Sequence, residues 1–233
     1  MAQRGRPRLY PDEQTMWREV KRRQRHPTLR AVPMSTTPGS YVADLAALVA
    51  SGQRFGTIYA DPPWQYDNQA TRASTNKHYL TMTLADLCAL PVRDLALPQA
   101  HLHLWTTTSF LFEAQPVLEA WGFTYKPQIV WGKTAKDGKT LLAGLGSYWR
   151  NCHEILLLGV RGSLTARTKH LPSVVLAPRL AHSEKPETFR DLVEQLSPGP
   201  YLELFGRAVV PGWTVYGNQQ IPRSGRLFKD TVG

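Results

Sequence analysis

The chain has 233 residues and a formal net charge of +10, a length that suits one α/β domain with an appendage. Its two cysteines lack the spacing of a metal site, no apolar run approaches about 18 residues, and the basic N-terminus has no apolar signal region, so we expect a cytoplasmic protein without a membrane span. The excess of positive charge favours a polyanionic partner, most simply nucleic acid.

Residues 1–40 are interpreted as a basic arm, a basic helix and a linker. The stretch Arg4-Gly5-Arg6-Pro7-Arg8 resembles the core of an AT-hook, an extended basic segment that lies in a narrow A·T-rich minor groove. A solvated basic tail explains Arg4, Arg6 and Arg8 equally well. A helix is predicted from residue 11 to about residue 27, and the Pro, Thr and Ser of residues 27–40 are typical of a linker.

The folded domain is expected over residues 41–222, and residues 223–233 form a tail. Thr83 is the expected N-cap of a helix, and Pro116 is expected to kink another. Two long loops are expected at residues 65–80 and 132–150. Helices are predicted at residues 42–50, 83–90, 110–120 and 186–196, and strands at 57–61, 101–105, 124–131, 154–160, 173–176, 201–205 and 213–216. This alternation predicts a three-layer α/β/α sandwich with a mostly parallel sheet.

The strand at residues 57–61 ends abruptly at Asp61-Pro62-Pro63-Trp64. Neither proline can donate to a sheet ladder, so the strand must stop there and leave a carboxylate and an indole at its carboxyl end. In open α/β sheets, ligands bind at that edge. The stretch is therefore predicted to be functional, although Asp-Pro also occurs in ordinary turns.

Three landmarks occur in order along the chain: Asp61-Pro62-Pro63-Trp64, Ser183-Glu184-Lys185-Pro186, and Glu203-Leu204-Phe205-Gly206-Arg207 followed by a segment that ends in Asn218-Gln219. Together they resemble the adenine-N6 methyltransferase family that includes the catalytic subunit of the eukaryotic mRNA adenosine methyltransferase. The chain is similar in size to bacterial and phage members. The order of its motifs resembles the circularly permuted β-class of amino-methyltransferases, which implies a Rossmann-like methyltransferase fold.

The exocyclic amino group of adenine, the target that the resemblance implies, is a poor nucleophile, because its lone pair is delocalised into the ring. It needs acceptors for its hydrogens, and Asp61 and the carbonyl of Pro62 are suited to that role because the prolines offer no competing N–H. Trp64 is expected to stack on the base, which stabilises the bound base by ~1–3 kcal/mol. A base in duplex DNA would first have to be flipped out of the helix.

The resemblance implies S-adenosylmethionine as methyl donor and assigns residues to it. Lys185, before a helix opened by Pro186, would pair with the methionine carboxylate, and the helix N-terminus adds to that attraction. One departure is Ala208-Val209-Val210, whose side chains cannot supply the polar ribose contacts expected there. The catalytic residues implied are Asp61, Pro62, Pro63 and Trp64; the cofactor-binding residues are Asp44, Leu45, Asp61, Ser183, Lys185, Glu203, Gly206, Arg207, Asn218 and Gln219.

Other polar residues have two interpretations. Lys133, Lys136 and Arg150 in the second long loop either track nucleic-acid phosphates or form a solvated charged loop. His101 and His103 share one strand face, but no third ligand stands at a recognisable spacing, so a structural role is favoured over a metal pair.

Taken together, the sequence predicts an S-adenosylmethionine-dependent methyltransferase acting on the N6 amino group of adenine in DNA, with an orphan, phage or restriction-linked role. RNA is the alternative substrate, and a non-catalytic nucleic-acid-binding member of the fold is the alternative class. A homodimer or a related partner subunit fits the resemblance. The intact acid and both prolines argue against the non-catalytic alternative.

Overall fold

A computed structural model describes residues 37–65, 81–146, 148–180 and 184–217, all within one compact unit, Val32–Gly233. The N-terminal arm with Arg4, Arg6 and Arg8, the helix predicted at 11–27, nearly all of the first long loop and the C-terminal tail lie outside these ranges. So do Ser183, Asn218 and Gln219. Within the described ranges, no helix is long and apolar enough to cross a membrane.

One eight-stranded sheet forms the centre of the domain, in the order β1-β8-β7-β2-β3-β5-β4-β6. Only β5 runs antiparallel to its neighbours, β3 and β4, while every other neighbouring pair is parallel. The mostly parallel sheet that the sequence predicts is thus confirmed. The strands are β1 (Ser40–Val42), β2 (Phe55–Ala60), β3 (Ala96–Thr106), β4 (Thr124–Thr134), β5 (His153–Arg161), β6 (Val174–Pro178), β7 (Tyr201–Leu204) and β8 (Trp213–Tyr216).

Helices cover both faces of the sheet, which completes the three predicted layers. They are α1 (Leu45–Ala50), α2 (Leu84–Ala89), α3 (Val92–Leu95), α4 (Ala114–Ala120) and α5 (Glu187–Leu196). The first four pack in one apolar cluster with alternate residues of the central strands, such as Ile58 and Leu104. The fifth packs on the opposite face through Phe189, with Tyr59 and Trp105 beneath it.

Several predicted boundaries differ from the structure for local reasons. Asp44 caps α1 by accepting the N–H of Ala46, so the helix starts at Leu45 rather than residue 42, and the unpredicted β1 precedes it. The helix α3 was not predicted. The kink expected at Pro116 is wrong, because α4 begins at Ala114 and places the proline in the first turn, where an N–H has no intrahelical partner. By contrast, the predicted cap at Thr83 is confirmed as a capping box with Asp86.

The topology brings most strand ends of functional interest to one edge. The central strand β2 lies between β7 and β3. The strand before it in the chain, β1, lies on the β7 side of the sheet, and the strand after it, β3, lies on the other side, so the chain changes direction at β2. Such a switch point opens a crevice at the carboxyl ends of parallel strands. Since β5 is antiparallel, it brings its first residues, not its last, to the same edge.

Away from that edge, one hydroxyl joins two buried imidazoles. Ser197 Oγ lies 2.8 Å from both His101 Nδ1 and His103 Nε2, and His101 Nε2 lies 3.2 Å from the carbonyl of Leu164. That carbonyl only accepts, so His101 carries its proton on Nε2 and accepts the Ser197 hydroxyl, which in turn accepts the N–H of His103. The network gives each buried ring a hydrogen bond to Ser197 and is consistent with the structural role expected for the histidines.

This network makes stability depend on pH. Burial, with the neighbouring His101, lowers the pKa of His103 to about 3. The unfolded side chain titrates near 6.5, so its contribution to stability is complete above pH 6.5 and is lost as the pH falls toward 3, by at most ~1.4 kcal/mol per pH unit. We expect His103→Gln to reduce the slope of unfolding free energy against pH between about 6 and 4, measured by urea denaturation. His170→Gln, at an exposed site, should keep the full slope; an unchanged slope in His103→Gln would contradict the assignment.

Candidate active site

The stretch Asp61-Pro62-Pro63-Trp64 follows β2 directly and is held by two backbone hydrogen bonds. Trp64 N–H donates to the Pro62 carbonyl at 2.9 Å, and Met82 N–H donates to the Pro63 carbonyl at the same distance. Among the described residues, the Pro62 carbonyl accepts this one backbone hydrogen bond, and a carbonyl oxygen has two lone pairs. Its expected role as a second acceptor therefore depends on the remaining lone pair.

Asp61 belongs to a line of four alternating charges. Lys185 Nζ lies 2.7 Å from Asp61 Oδ2 and 3.3 Å from Glu154 Oε2, and the other oxygen of Glu154 lies 2.6 Å from Lys133 Nζ. All four side chains are at least two-thirds buried, Lys185 the most, with 12% of its side chain exposed. The line balances two cations against two carboxylates at the edge of the sheet.

Lys185 keeps its charge despite this burial. Desolvation disfavours the ammonium form, but the nearby carboxylates of Asp61 and Glu154 outweigh it, and the pKa of Lys185 is raised. Its Nζ also lies 5.3 Å from the centre of the Trp105 ring, within the range of a cation–π interaction. The catalytic acid predicted from the sequence thus faces a permanent cation.

The strand pleat explains why these side chains meet. Tyr59 belongs to the cluster under α5, and Asp61 follows it at the two-residue period that returns a side chain to the same face. Glu154 on β5 is the register partner of Trp131 on β4, which lies in the same cluster, and Lys133 follows Trp131 by two residues. Lys133 therefore lies on a strand, so its predicted place in a loop is wrong.

Glu203, expected near the cofactor, forms a second buried pair. Its Oε2 lies 2.7 Å from Arg190 Nη2 on α5, and the two side chains are 13% and 15% exposed. The guanidinium carbon lies 6.0 Å from the Tyr59 ring and 5.7 Å from the Trp213 ring. Burial opposes the charge of Arg190, but Glu203 outweighs it and raises its pKa.

The end of β7 makes a sharp turn at the same edge. Phe205 has φ +66°, a left-handed conformation that is uncommon for a bulky residue and often marks a functional site. Gly206 follows it, and a Cβ there would collide with the side chain of Val215. The glycine expected to let the backbone approach a cofactor is thus also required for packing within the protein.

Trp64 already has a stacking partner. Its ring lies parallel to that of Phe110, with centroids 5.5 Å apart and planes inclined by 15°, and its indole N–H donates to the carbonyl of Trp105 at 3.1 Å. A target base would have to use the opposite face of the ring. Sequence reasoning did not identify Phe110 as the residue that holds this indole in place.

The remaining predicted residues are divided between the site and its surroundings. Asp44 follows β1 at the same edge but caps α1, while the side chain of Leu45 is buried in the core and can offer a ligand only its backbone. Lys136 and Arg150 are exposed on the loop between β4 and β5. Arg207 lies one residue beyond Gly206, and its expected contact stays a prediction.

Two residues of the site were missed. Glu154 is an acid at the entrance of a buried strand, and Arg190 interrupts the apolar stripe of α5 between Phe189 and Val193. A charge among buried apolar residues indicates a buried partner, so this signal could have singled out Glu154 and Arg190, although not the residues they contact. Among the described residues, no group of three or more His, Cys, Asp or Glu is placed to hold a metal ion.

Known proteins resemble this chain over the region that contains the site. It is 30% identical over 171 residues to the Drosophila melanogaster N(6)-adenosine-methyltransferase MT-A70-like protein, covering 71% of this chain and 27% of the relative. The human N(6)-adenosine-methyltransferase catalytic subunit METTL3 is also 30% identical over 171 residues, with 71% and 28% covered. The human N(6)-adenine-specific methyltransferase METTL4 is 28% identical over 202 residues, with 80% and 42% covered.

In each of these three relatives the matched region is less than half of the length. The family profile described as MT-A70 matches residues 55–219, from β2 to beyond β8, and so contains every described residue of the charged line. This match confirms the family resemblance predicted from the three motifs. The chain belongs to the MT-A70 family.

Proposed function

We propose that this protein is an S-adenosylmethionine-dependent methyltransferase that modifies the N6 amino group of adenine in DNA. The observation that carries the proposal is the position of Asp61, directly after β2 at the switch point of the sheet, within 2.7 Å of Lys185. Membership of the MT-A70 family supports methyl transfer, since relatives are named N6-adenosine or N6-adenine methyltransferases.

The chemistry of the residues at this edge fits the cofactor. S-adenosylmethionine carries a carboxylate, a ribose with two hydroxyls and a sulfonium, and it supplies an electrophilic methyl group when bound. Lys185 provides a buried cation for the carboxylate, and Glu203 provides acceptor oxygens at the end of β7. Thr107, just beyond β3, has a buried hydroxyl without a partner among the described residues, as expected for an atom that faces a ligand.

Asp61 would act on the target amine. A carboxylate has about four lone-pair sites, and Lys185 occupies a position on Oδ2, so the group retains acceptor capacity for an amine hydrogen. The Pro62 carbonyl would accept the second hydrogen. Together they would hold the amine so that its lone pair points toward the methyl donor, and alignment of this kind accounts for much of the rate enhancement in such reactions.

DNA is proposed as substrate because the N-terminal Arg4-Gly5-Arg6-Pro7-Arg8 stretch resembles a minor-groove element and because the net charge is +10. RNA is the second candidate, favoured by the names of METTL3 and the Drosophila relative, which are adenosine methyltransferases. We also propose a bacterial or phage setting, and a partner subunit or a second copy fits METTL3, whose name is that of a catalytic subunit.

The proposal is tested by product analysis. The protein is incubated with isotope-labelled S-adenosylmethionine and, separately, single-stranded DNA, duplex DNA and RNA of one sequence, and the digested nucleosides are identified by mass spectrometry. We expect N6-methyldeoxyadenosine from DNA and none from a strand with hypoxanthine in place of adenine, which lacks the amino group. Product from RNA alone would select the second candidate. Cofactor binding without product from any strand would indicate a non-catalytic member.

Lys185 is expected to be required for cofactor binding. Lys185→Met should weaken S-adenosylmethionine binding about 10- to 100-fold in isothermal titration calorimetry, since a hydrogen bond to a charged group contributes about 1.5–3 kcal/mol. The same change leaves Asp61 and Glu154 without their shared cation, so a lower melting temperature is also expected. Lys136→Met, at an exposed turn, is the matched control and should bind normally. Unchanged affinity in Lys185→Met would remove the assigned role.

A further inference from the structure

We propose that Tyr148, Trp149 and Arg150, named here the aromatic tip, form a stacking platform for the single strand of nucleic acid that flanks the target base. The inference rests on the proposed function for its substrate class. It assigns a second contact surface, separate from the residues around Asp61, and this surface would contact the bases of the strand as well as its phosphates.

The two aromatic side chains of the aromatic tip are almost fully exposed, although large aromatic residues are usually buried. Tyr148 is 95% exposed and Trp149 is 89% exposed, and Leu145 on the same loop is 97% exposed. Scattered apolar side chains are normal on protein surfaces, but two adjacent large aromatic side chains with this degree of exposure indicate a binding surface. Every base has a π-face, so two exposed rings suit a strand of any sequence.

The tip is held at the functional edge by contacts at the base of its loop. Asn151 Nδ2 donates to Thr108 Oγ1 at 3.2 Å, and Thr108 begins the short 3₁₀ turn that ends at Phe110, the stacking partner of Trp64. Lys133 N–H donates to the Cys152 carbonyl at 2.8 Å. Four residues lie between Trp149 and Glu154, and the five steps along the chain limit their Cα–Cα distance to at most about 18 Å.

The turn itself is closely packed. A Cβ on Gly146 would collide with the carbonyl oxygen of Trp149, so the two arms of the loop lie directly against each other. Gly144 N–H also donates to the Asn151 carbonyl at 2.8 Å. These contacts present the rings from a defined backbone instead of a long free loop, which lowers the entropy lost on binding.

Charge distinguishes nucleic acid from a second copy of the chain as the occupant. The same loop carries the exposed cations Lys136, Lys139 and Arg150, and its one acid, Asp137, accepts hydrogen bonds from Thr140 and the Lys139 N–H. In a twofold interface the same patch contacts itself, so these like charges would oppose one another. A polyanion such as nucleic acid carries the opposite charge and is attracted to these cations.

The test compares base stacking with phosphate attraction. Binding of a fluorescein-labelled single strand of about 12 thymidines is measured by anisotropy for the full chain, alongside an abasic strand of the same length. We expect the double variant Tyr148→Ala/Trp149→Ala to bind the thymidine strand at least about 10-fold more weakly, and the abasic strand with unchanged affinity. Tyr125→Ala, which removes an exposed aromatic from the opposite end of β4, is the matched control and should bind both strands normally.

Three outcomes would overturn the platform: equal affinity of wild type and double variant for the thymidine strand, equal losses on both strands, or a dimer in light scattering that the double variant converts to a monomer. The last would assign the surface to self-association. Thymidine cannot be methylated at an adenine amine, so the assay is independent of catalysis. Failure of methyl transfer with intact stacking would reject the function alone, and normal adenine methylation with no stacking would reject the platform alone.

Discussion

Asp61→Asn is expected to lower methyl-transfer turnover about 10³-fold, the centre of the range for loss of a positioned catalytic proton acceptor. The substitution keeps the shape of the side chain but replaces one carboxylate oxygen with an NH₂ donor, which cannot accept a hydrogen from the amine. Lys185 keeps Glu154 as a partner at 3.3 Å, so the variant should fold.

The measurement is a single-turnover assay on adenine-containing DNA, together with calorimetry for S-adenosylmethionine and a melting curve. Cofactor affinity should stay within a few-fold of wild type, because the substitution removes an interaction with the target amine of the substrate. Asp191→Asn, at an exposed position on α5, is the matched control and should turn over normally. Undiminished turnover in Asp61→Asn, at wild-type melting temperature, would exclude the carboxylate from the mechanism.

Arg190→Met is expected to destabilise the fold by about 3–5 kcal/mol, the usual cost of removing one partner from a buried ion pair. The change leaves the carboxylate of Glu203 with 13% exposure and without the guanidinium 2.7 Å away. It also removes the cation near the rings of Tyr59 and Trp213. A loss of this size is a large fraction of the stability of a typical domain.

Urea denaturation of a double-mutant cycle separates the pair from simple loss of packing. Arg190→Met/Glu203→Gln should cost less than the sum of its two single variants, because the neutral pair leaves no uncompensated charge. Arg93→Met, on the exposed surface of α3, should change the free energy of unfolding by less than about 0.5 kcal/mol. Additive costs in the cycle would mean that the two side chains do not interact energetically.

The fold was predictable where local chemistry decides it. Alternating apolar residues and the capping pair of Thr83 and Asp86 located strands and a helix, and two consecutive prolines ended β2 where expected. The antiparallel direction of β5 was not predictable, because sequence periodicity identifies a strand but not its neighbours. Short elements such as β1 and α3 were not predicted, because three or four residues are too few to show a hydrophobic periodicity.

The site was predictable as a set of motifs but not as a set of contacts. Asp61 and Lys185 were both expected at the site, yet nothing in the sequence indicated that they bind each other across 124 residues of chain. Glu154 was missed since its role comes from the reversed direction of β5. The stacking of Trp64 on Phe110 likewise depends on tertiary packing between the 3₁₀ turn after β3 and the end of β2.

The reversed direction of β5 also affects how the surface of this domain can vary in sequence and length. Since β4 ends and β5 begins at the same edge, their connecting loop leaves and re-enters the domain within a few residues of the charged line, and its tip is outside the core. Doubling the length of a surface loop costs only about 0.6 kcal/mol in closure entropy. This connection can therefore be replaced by a loop of another length or sequence, which would change the exposed aromatic tip while β2, β5 and α5, which position Asp61, Glu154 and Lys185, stay the same.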